Sequence, residues 1–163
     1  RQKRMICEKI YGKLDALSPG GRAVEYVSID WHEAFKKIHK KTTDKGREVG
    51  IRMDDTVLTR GMSEGDVIYM DDSLVIAVHT PPCEMLQITV RPDHAFMTAK
   101  VCYEIGNRHA PLFYGEDAQS FRTIYNEPML AMLSKLHGVE VEKITAQPDF
   151  SRRISAGGHS HHH

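Results

Sequence analysis

Ten of the 163 residues are histidine, and four of these, His159, His161, His162 and His163, fall within the last five positions. Neutral imidazole nitrogen suits Ni2+, Cu2+ and Zn2+ better than Mg2+ or Ca2+. In a polar terminal run the spacing matters little, because a loose chain wraps whichever ion it meets. A terminal histidine run is also the pattern of an affinity tag, so composition alone leaves both origins open. His109 has a different setting, in Gly106-Asn107-Arg108-His109 at the end of an apolar-periodic segment. Gly106 can take the left-handed conformation that ends a helix, and Asn107 tolerates the turn that follows. His109 then leaves the helix end as the chain heads for Pro111.

The other candidate ligands read as structural. His79 and Cys83 bracket Pro81-Pro82, whose stiffness holds them apart. Cys102 lies three residues after Ala99 and three before Ile105, on a core-facing stripe, and reads as an inert buried thiol. His32 and His39 sit among Lys36, Lys37, Lys40 and Lys41 and read as a solvated basic face. No nucleophile elbow, P-loop, dinucleotide fingerprint or HExxH occurs. Asp54-Asp55 and Asp71-Asp72 stand where hairpin turns belong. Nothing assembles a catalytic set, which points to a binding protein and not an enzyme.

Those residues must be positioned by two kinds of element. The first half reads as short strands: Met5–Ile10, Ala23–Ile29, Gly50–Met53, Val57–Arg60, Val67–Met70 and Leu74–Thr80, separated by acidic and glycine turns. Asp30–Lys41, with Trp31, Ala34, Phe35 and Ile38, fits either a turn or two of helix or a curved strand. The second half alternates. A strand at Met85–Val90 precedes a helix over Asp93–Ile105, with Asp93 as its cap and Gly106 as its stop. Short strands at Pro111–Tyr114 and Ser120–Ile124 lead to a helix capped by Asn126, with Pro128 in its first turn. A strand at Val139–Ile144 closes the β-α-β-β-α-β order of a ferredoxin-like fold.

The expected fold class is therefore α+β: an all-β domain over residues 5–80, a ferredoxin-like domain over residues 84–146, and a flexible tail over residues 147–163. Twenty-two basic residues balance twenty-two acidic ones, which disfavours nucleic acid as a partner. No run of eighteen apolar residues suggests a membrane span. Met5 reads as a natural start, with residues 1–4 an extension. Three widely spaced cysteines fit a reducing, cytoplasmic setting.

Three motifs, in order, resemble those of the UreE family, the urease accessory nickel metallochaperones. They are Lys41-Thr42-Thr43-Asp44-Lys45-Gly46-Arg47-Glu48-Val49-Gly50-Ile51-Arg52, then Gly65-Asp66-Val67-Ile68-Tyr69, then Glu104-Ile105-Gly106-Asn107-Arg108-His109. The similarity runs from about Met5 to Phe150. It implies a β-rich N-terminal domain similar to a chaperone peptide-binding module. It further implies a homodimer through the second domain, with His109 of each copy near the two-fold axis. Ni2+ is the implied ion, with Zn2+ or Cu2+ able to substitute, held by His109 and by His159, His161, His162 and His163. The implied partners are the urease accessory GTPase and the apo-urease assembly complex. The histidines that some members carry before the second helix are missing, since that stretch reads Ile124-Tyr125-Asn126-Glu127, and the tail is short. Two other readings follow from the residues. One is a metal-independent interaction adaptor with incidental or tag-derived histidines, binding an extended peptide at a sheet edge. The other is an RNA platform using Phe113, Tyr114 and Phe121.

Overall fold

Five consecutive apolar residues, Leu74 to Val78, are all buried, and a strand covered on both faces is the arrangement that permits this. The rest of the first half is organised around that strand. The structure, a computed structural model, describes residues 5–154, and the chain parts into two units between Pro81 and Pro82. The first unit contains β1 (Met5–Cys7), β2 (Gly12–Lys13), the single turn α1 (Leu14–Leu17), β3 (Ala23–Ser28), β4 (Ile38–Thr42), β5 (Glu48–Arg52), the short helix α2 (Val57–Arg60), β6 (Asp66–Met70) and β7 (Leu74–His79). One sheet has the order β1-β5-β4; the other has the order β2-β6-β7-β3. In the second sheet β7 runs parallel to β3 and antiparallel to β6. Alternation sends Val75 and Ala77 to one face, where they join Val67 under Leu14 and Leu17. Ile76 and Val78 point the other way and are equally buried.

Two segments of this unit differ from the expectation. Val57–Arg60 is helical and not a strand. The Asp54 carboxylate accepts the Thr56 N–H at 3.0 Å, and this local bond turns the chain into α2 instead of a hairpin. Gly61 ends it at φ 72°, pressed so closely on Phe35 that a Cβ there would lie 2.8 Å from the ring. Asp30–Lys41 is neither helix nor one curved strand. It is a set of turns followed by β4, whose His39 is buried with Nε2 2.9 Å from the Lys36 carbonyl. His39 therefore does not belong to a solvated face.

The second unit contains β8 (Cys83–Val90), a 3-10 turn at Pro92–His94, α3 (Met97–Asn107), β9 (Leu112–Tyr114), β10 (Ser120–Ile124), α4 (Glu127–Ser134), β11 (Val139–Ala146), a 3-10 turn at Phe150–Arg152, and β12 (Arg153–Ile154). Its antiparallel sheet has the order β11-β8-β10-β9-β12. Without β12, that is the ferredoxin-like arrangement, so the chain is α+β. Leu86, Ile88 and Val90 of β8 and Phe121 of β10 meet Val101 and Ile105 of α3 and Met129 and Leu133 of α4. The four-residue spacing puts each helical pair on one face. Asn126 caps α4 as expected, its Oδ1 accepting the Met129 N–H at 2.8 Å.

Asp93 does not cap α3. Its carboxylate turns to Arg91 and His94, and the helix starts at Met97. The polar stretch after Ala146 was expected to be tail, yet residues 150–154 form a turn and β12. The free edge of β9 offers backbone partners, Ile154 packs on the core, and the Arg152 guanidinium donates to the Gly115 carbonyl at 2.6 Å. Among the described residues no helix is long and apolar enough to cross a membrane.

Asp66, fully buried at the start of β6, ties the first unit together. It accepts two bonds from Arg60 at 2.8 and 2.9 Å and one from the Ser63 N–H at 2.8 Å, with Lys13 Nζ 3.1 Å away. α2, β2, β6 and the intervening turn thus share one carboxylate. Burial by itself raises the Asp66 pKa, but Arg60, Ser63 and Lys13 outweigh it and hold the carboxyl below the usual carboxylate range. With the folded pKa the lower one, this stabilisation is present above the unfolded value, about 3.9. It is lost as pH falls through the folded value. Asp66→Asn should lower the unfolding free energy at neutral pH by about 3 kcal/mol, the low end for a broken buried pair because Arg60 is half exposed. Urea titrations at several pH values check this: the gap between the two proteins should narrow below about pH 4.

Candidate metal centre

α3 presents Val101 and Ile105 to the core and ends in a Schellman motif. The His109 N–H donates to the Gly106 carbonyl at 3.0 Å, and the Ala110 N–H donates to the Ile105 carbonyl at 3.3 Å. Ala110 packs against the cluster that contains Ile105, the apolar contact that accompanies this motif. The left-handed residue it requires is His109 itself, at φ 56°. Gly106, expected to be that residue, is an ordinary part of α3. The imidazole is consequently thrown clear of the helix end, exposed, with no side-chain hydrogen bond among the described residues. Left-handed backbone in a residue with a Cβ costs about 1–2 kcal/mol, and such outliers cluster at functional positions.

Arg108 and Glu104 brace this corner. Arg108 Nη1 donates to the Glu104 carbonyl at 3.0 Å and to the Glu104 carboxylate. A cation over the last carbonyls also complements the helix dipole. The Arg108 bond, then Lys100, hold Glu104 below the usual carboxylate range. The sequence carried a signal for the longer helix: Glu104 and Arg108 are an i,i+4 pair, which makes sense only if the helix runs through residue 107.

The remaining histidines and cysteines divide clearly. His79 ends β7 with Nδ1 3.1 Å from Glu64, in the first unit, whereas Cys83 begins β8 in the second. Cys102 is half-buried, and burial raises its pKa, as befits an inert thiol. His32 is exposed, but its neighbours are carboxylates. Ligand atoms of Asp30, His32 and Glu33 lie within 4.8 Å of one another, although Glu33 is already paired with Lys41 at 3.0 Å. Phe113 and Phe121 are both buried, which leaves only Tyr114 of the three aromatics for stacking on a base. His159, His161, His162 and His163 lie outside the described residues.

With this geometry in view, comparison with known proteins is direct. The model of the UreE urease accessory protein N-terminal domain matches residues 7–80, and that of the C-terminal domain matches residues 84–163. The chain belongs to the UreE family. It is 37% identical to the urease accessory protein UreE of Helicobacter pylori (strain G27) over 151 residues, 93% of this chain and 86% of the relative. It is 36% identical to that of Helicobacter acinonychis (strain Sheeba) over the same shares. Against UreE of Acetivibrio thermocellus the identity is 33% over 159 residues, 98% of this chain and 99% of the relative.

The three motifs on which the resemblance to UreE rests each sit at a demanding point of the fold. Thr43 and Arg47 lock the β4–β5 turn onto Glu25, Asp66 is the buried hub, and His109 is the left-handed cap. If His109 is kept for its ring at a cost to the backbone, His109→Gly should stabilise the fold by roughly 0.5–1 kcal/mol, the relief of strain less the chain entropy of glycine. His109→Val should destabilise it, because a β-branched side chain resists φ > 0. Denaturant midpoints of the two variants against the parent test this; a destabilised glycine variant would mean that the ring packs structurally.

Proposed function

We propose that this UreE-family chain is a nickel metallochaperone that delivers Ni2+ to apo-urease, with His109 as its central ligand. The observation that carries this reading is the exposed His109 imidazole, strained at its backbone and with no side-chain hydrogen bond among the described residues. The ion is cargo, so the site must bind and also release. One imidazole is too little for that. Two copies of His109 brought together in a homodimer supply two nitrogens, and His159, His161, His162 and His163 complete the shell when the tails close. Opening of a tail then lowers the coordination number and frees the ion. Zn2+ and Cu2+ substitute readily, Cu2+ binding most tightly by the Irving–Williams order, so selectivity comes from geometry and supply.

A surface for the second copy supports the dimer. Phe96 and Tyr103, seven residues apart on one side of the α3 segment, are 73% and 62% exposed. Aromatic pairs of this kind are what partners cover. In this reading the β-rich unit engages the urease assembly complex and its GTPase in the cytoplasm, where the three free cysteines stay reduced.

Calorimetric titration of Ni2+ into the intact chain, His109→Ala and a form ending at Gly158 tests the proposal. The tightest site should vanish in His109→Ala and weaken in the truncated form, with one or two ions bound per dimer. Unchanged binding in His109→Ala, with an effect of truncation alone, would reduce the tail to a tag and favour the metal-independent adaptor.

A further inference from the structure

The second unit holds another pair of imidazoles, at the opposite end of α3 from His109. His94 ends the Pro92–His94 turn, and His137 lies in the loop between α4 and β11. Pairing of Val90 with Val139 brings the two loops side by side, and the Arg91 N–H donates to the Gly138 carbonyl at 2.9 Å to fasten them. Gly138, at φ 73°, lies flat on the His94 ring; a Cβ there would sit 2.2 Å from His94 Cγ. Phe96 lies near the same ring, 5.8 Å between centres. The His94 ring is thus fixed, and His137 stands edge-on to it with centres 6.2 Å apart and planes at 67°.

The chemistry of the two rings is complementary. Asp93 Oδ1 lies 3.0 Å from the buried Nδ1 of His94, approaching too obliquely to satisfy it fully. A carboxylate there favours the proton on Nδ1 and leaves the Nε2 lone pair free for a metal; a small turn of Asp93 would make the Nδ1–H to carboxylate bond that stands behind metal-bound histidines. His137 is exposed, and no hydrogen bond engages its ring among the described residues. An imidazole binds a first-row divalent ion at about 2.0–2.1 Å, which puts the ion roughly 3 Å from the ring centre. Two rings on one ion therefore stand at most about 6 Å apart, so the observed 6.2 Å leaves the exposed His137 ring a small rotation to make before both nitrogens close on one ion.

We infer that His94 and His137 form a second, weaker site for a borderline divalent cation such as Cu2+, Ni2+ or Zn2+, with Asp93 orienting His94 and water filling the shell. Two nitrogen donors make it a low-affinity site, separate from His109. The eleven residues of α3 alone span about 16 Å at 1.5 Å per residue. A carrier could load there without disturbing its principal ion.

Equilibrium dialysis of the full-length chain against Cu2+ alone, and then Ni2+ alone, tests the assignment. His137→Ala, on an exposed ring, should lose one weakly held ion per chain while the tighter class is unchanged. Asp93→Asn should keep the stoichiometry but weaken that ion about 10-fold, and His109→Ala should leave it in place. Ni2+ added to His109→Ala beyond what the tail histidines take up should broaden the His94 and His137 imidazole NMR signals together. Equal binding by the parent and His137→Ala, or broadening that spares both rings, would overturn the site. These outcomes do not depend on whether His109 holds nickel, so either proposal can fail alone.

Discussion

The end of α3 fixes where His109, the candidate ligand, presents its imidazole. Two backbone bonds, from His109 to Gly106 and from Ala110 to Ile105, close the helix with a left-handed residue, and that residue carries the imidazole. A glycine would satisfy the backbone better. The ring is placed by the same torsion that is costly, since a right-handed residue would have carried the helix onward and laid the side chain along its surface. Burial of Ile105 and packing of Ala110 supply the compensation, while Arg108 and Glu104 tie off the last turn. Core, cap and candidate ligand are therefore one device, and a change in any of them moves the ring.

The first unit solves a different problem. Its parallel β3–β7 pair sits in a small sheet, where parallel strands need cover on both faces. Two sheets and the α1 turn provide that cover, and the two carboxylates that the unit buries, Asp66 and Glu25, are each met by a guanidinium and further donors. Arg60 reaches Asp66 only because α2 is helical; a strand over the same residues would not turn the guanidinium back onto the start of β6. Glu25 is matched with Thr43 and Arg47 in the same way, and the Arg47 bond is the foremost reason that its pKa is lowered. Each buried charge has its partner close in space but eighteen or more residues away along the chain, except for Arg60 and Asp66.

How legible this was depended on the range of the deciding interaction. The start of α4 could be read to the residue because its signals are local: an asparagine cap, a proline in the first turn, and apolar residues four apart. β7 was equally plain. The errors came where side chains chose between local alternatives. Asp54 made a turn into α2 and Asp93 declined a cap, each by a hydrogen bond that propensity does not reveal. Gly106 was given the left-handed role by residue type, yet the turn went to His109, because the helix is held through residue 107 by Ile105 in the core and Arg108 on Glu104.

By itself the sequence determined the α+β class, the β-α-β-β-α-β order of the second unit, most strands of the first, the family, and His109 as the residue to watch. Those follow from periodicity, caps and motif order, all of which are short-range properties. Only the tertiary structure decided that His109 is the strained cap, that Asp66 is a shared hub, and that the chain after Ala146 adds an edge strand. It alone set His94 beside His137, forty-three residues apart, by pairing Val90 with Val139. Contacts of that kind are made by sheet register, and register is fixed by how whole faces bury their apolar side chains and not by any neighbour in the chain.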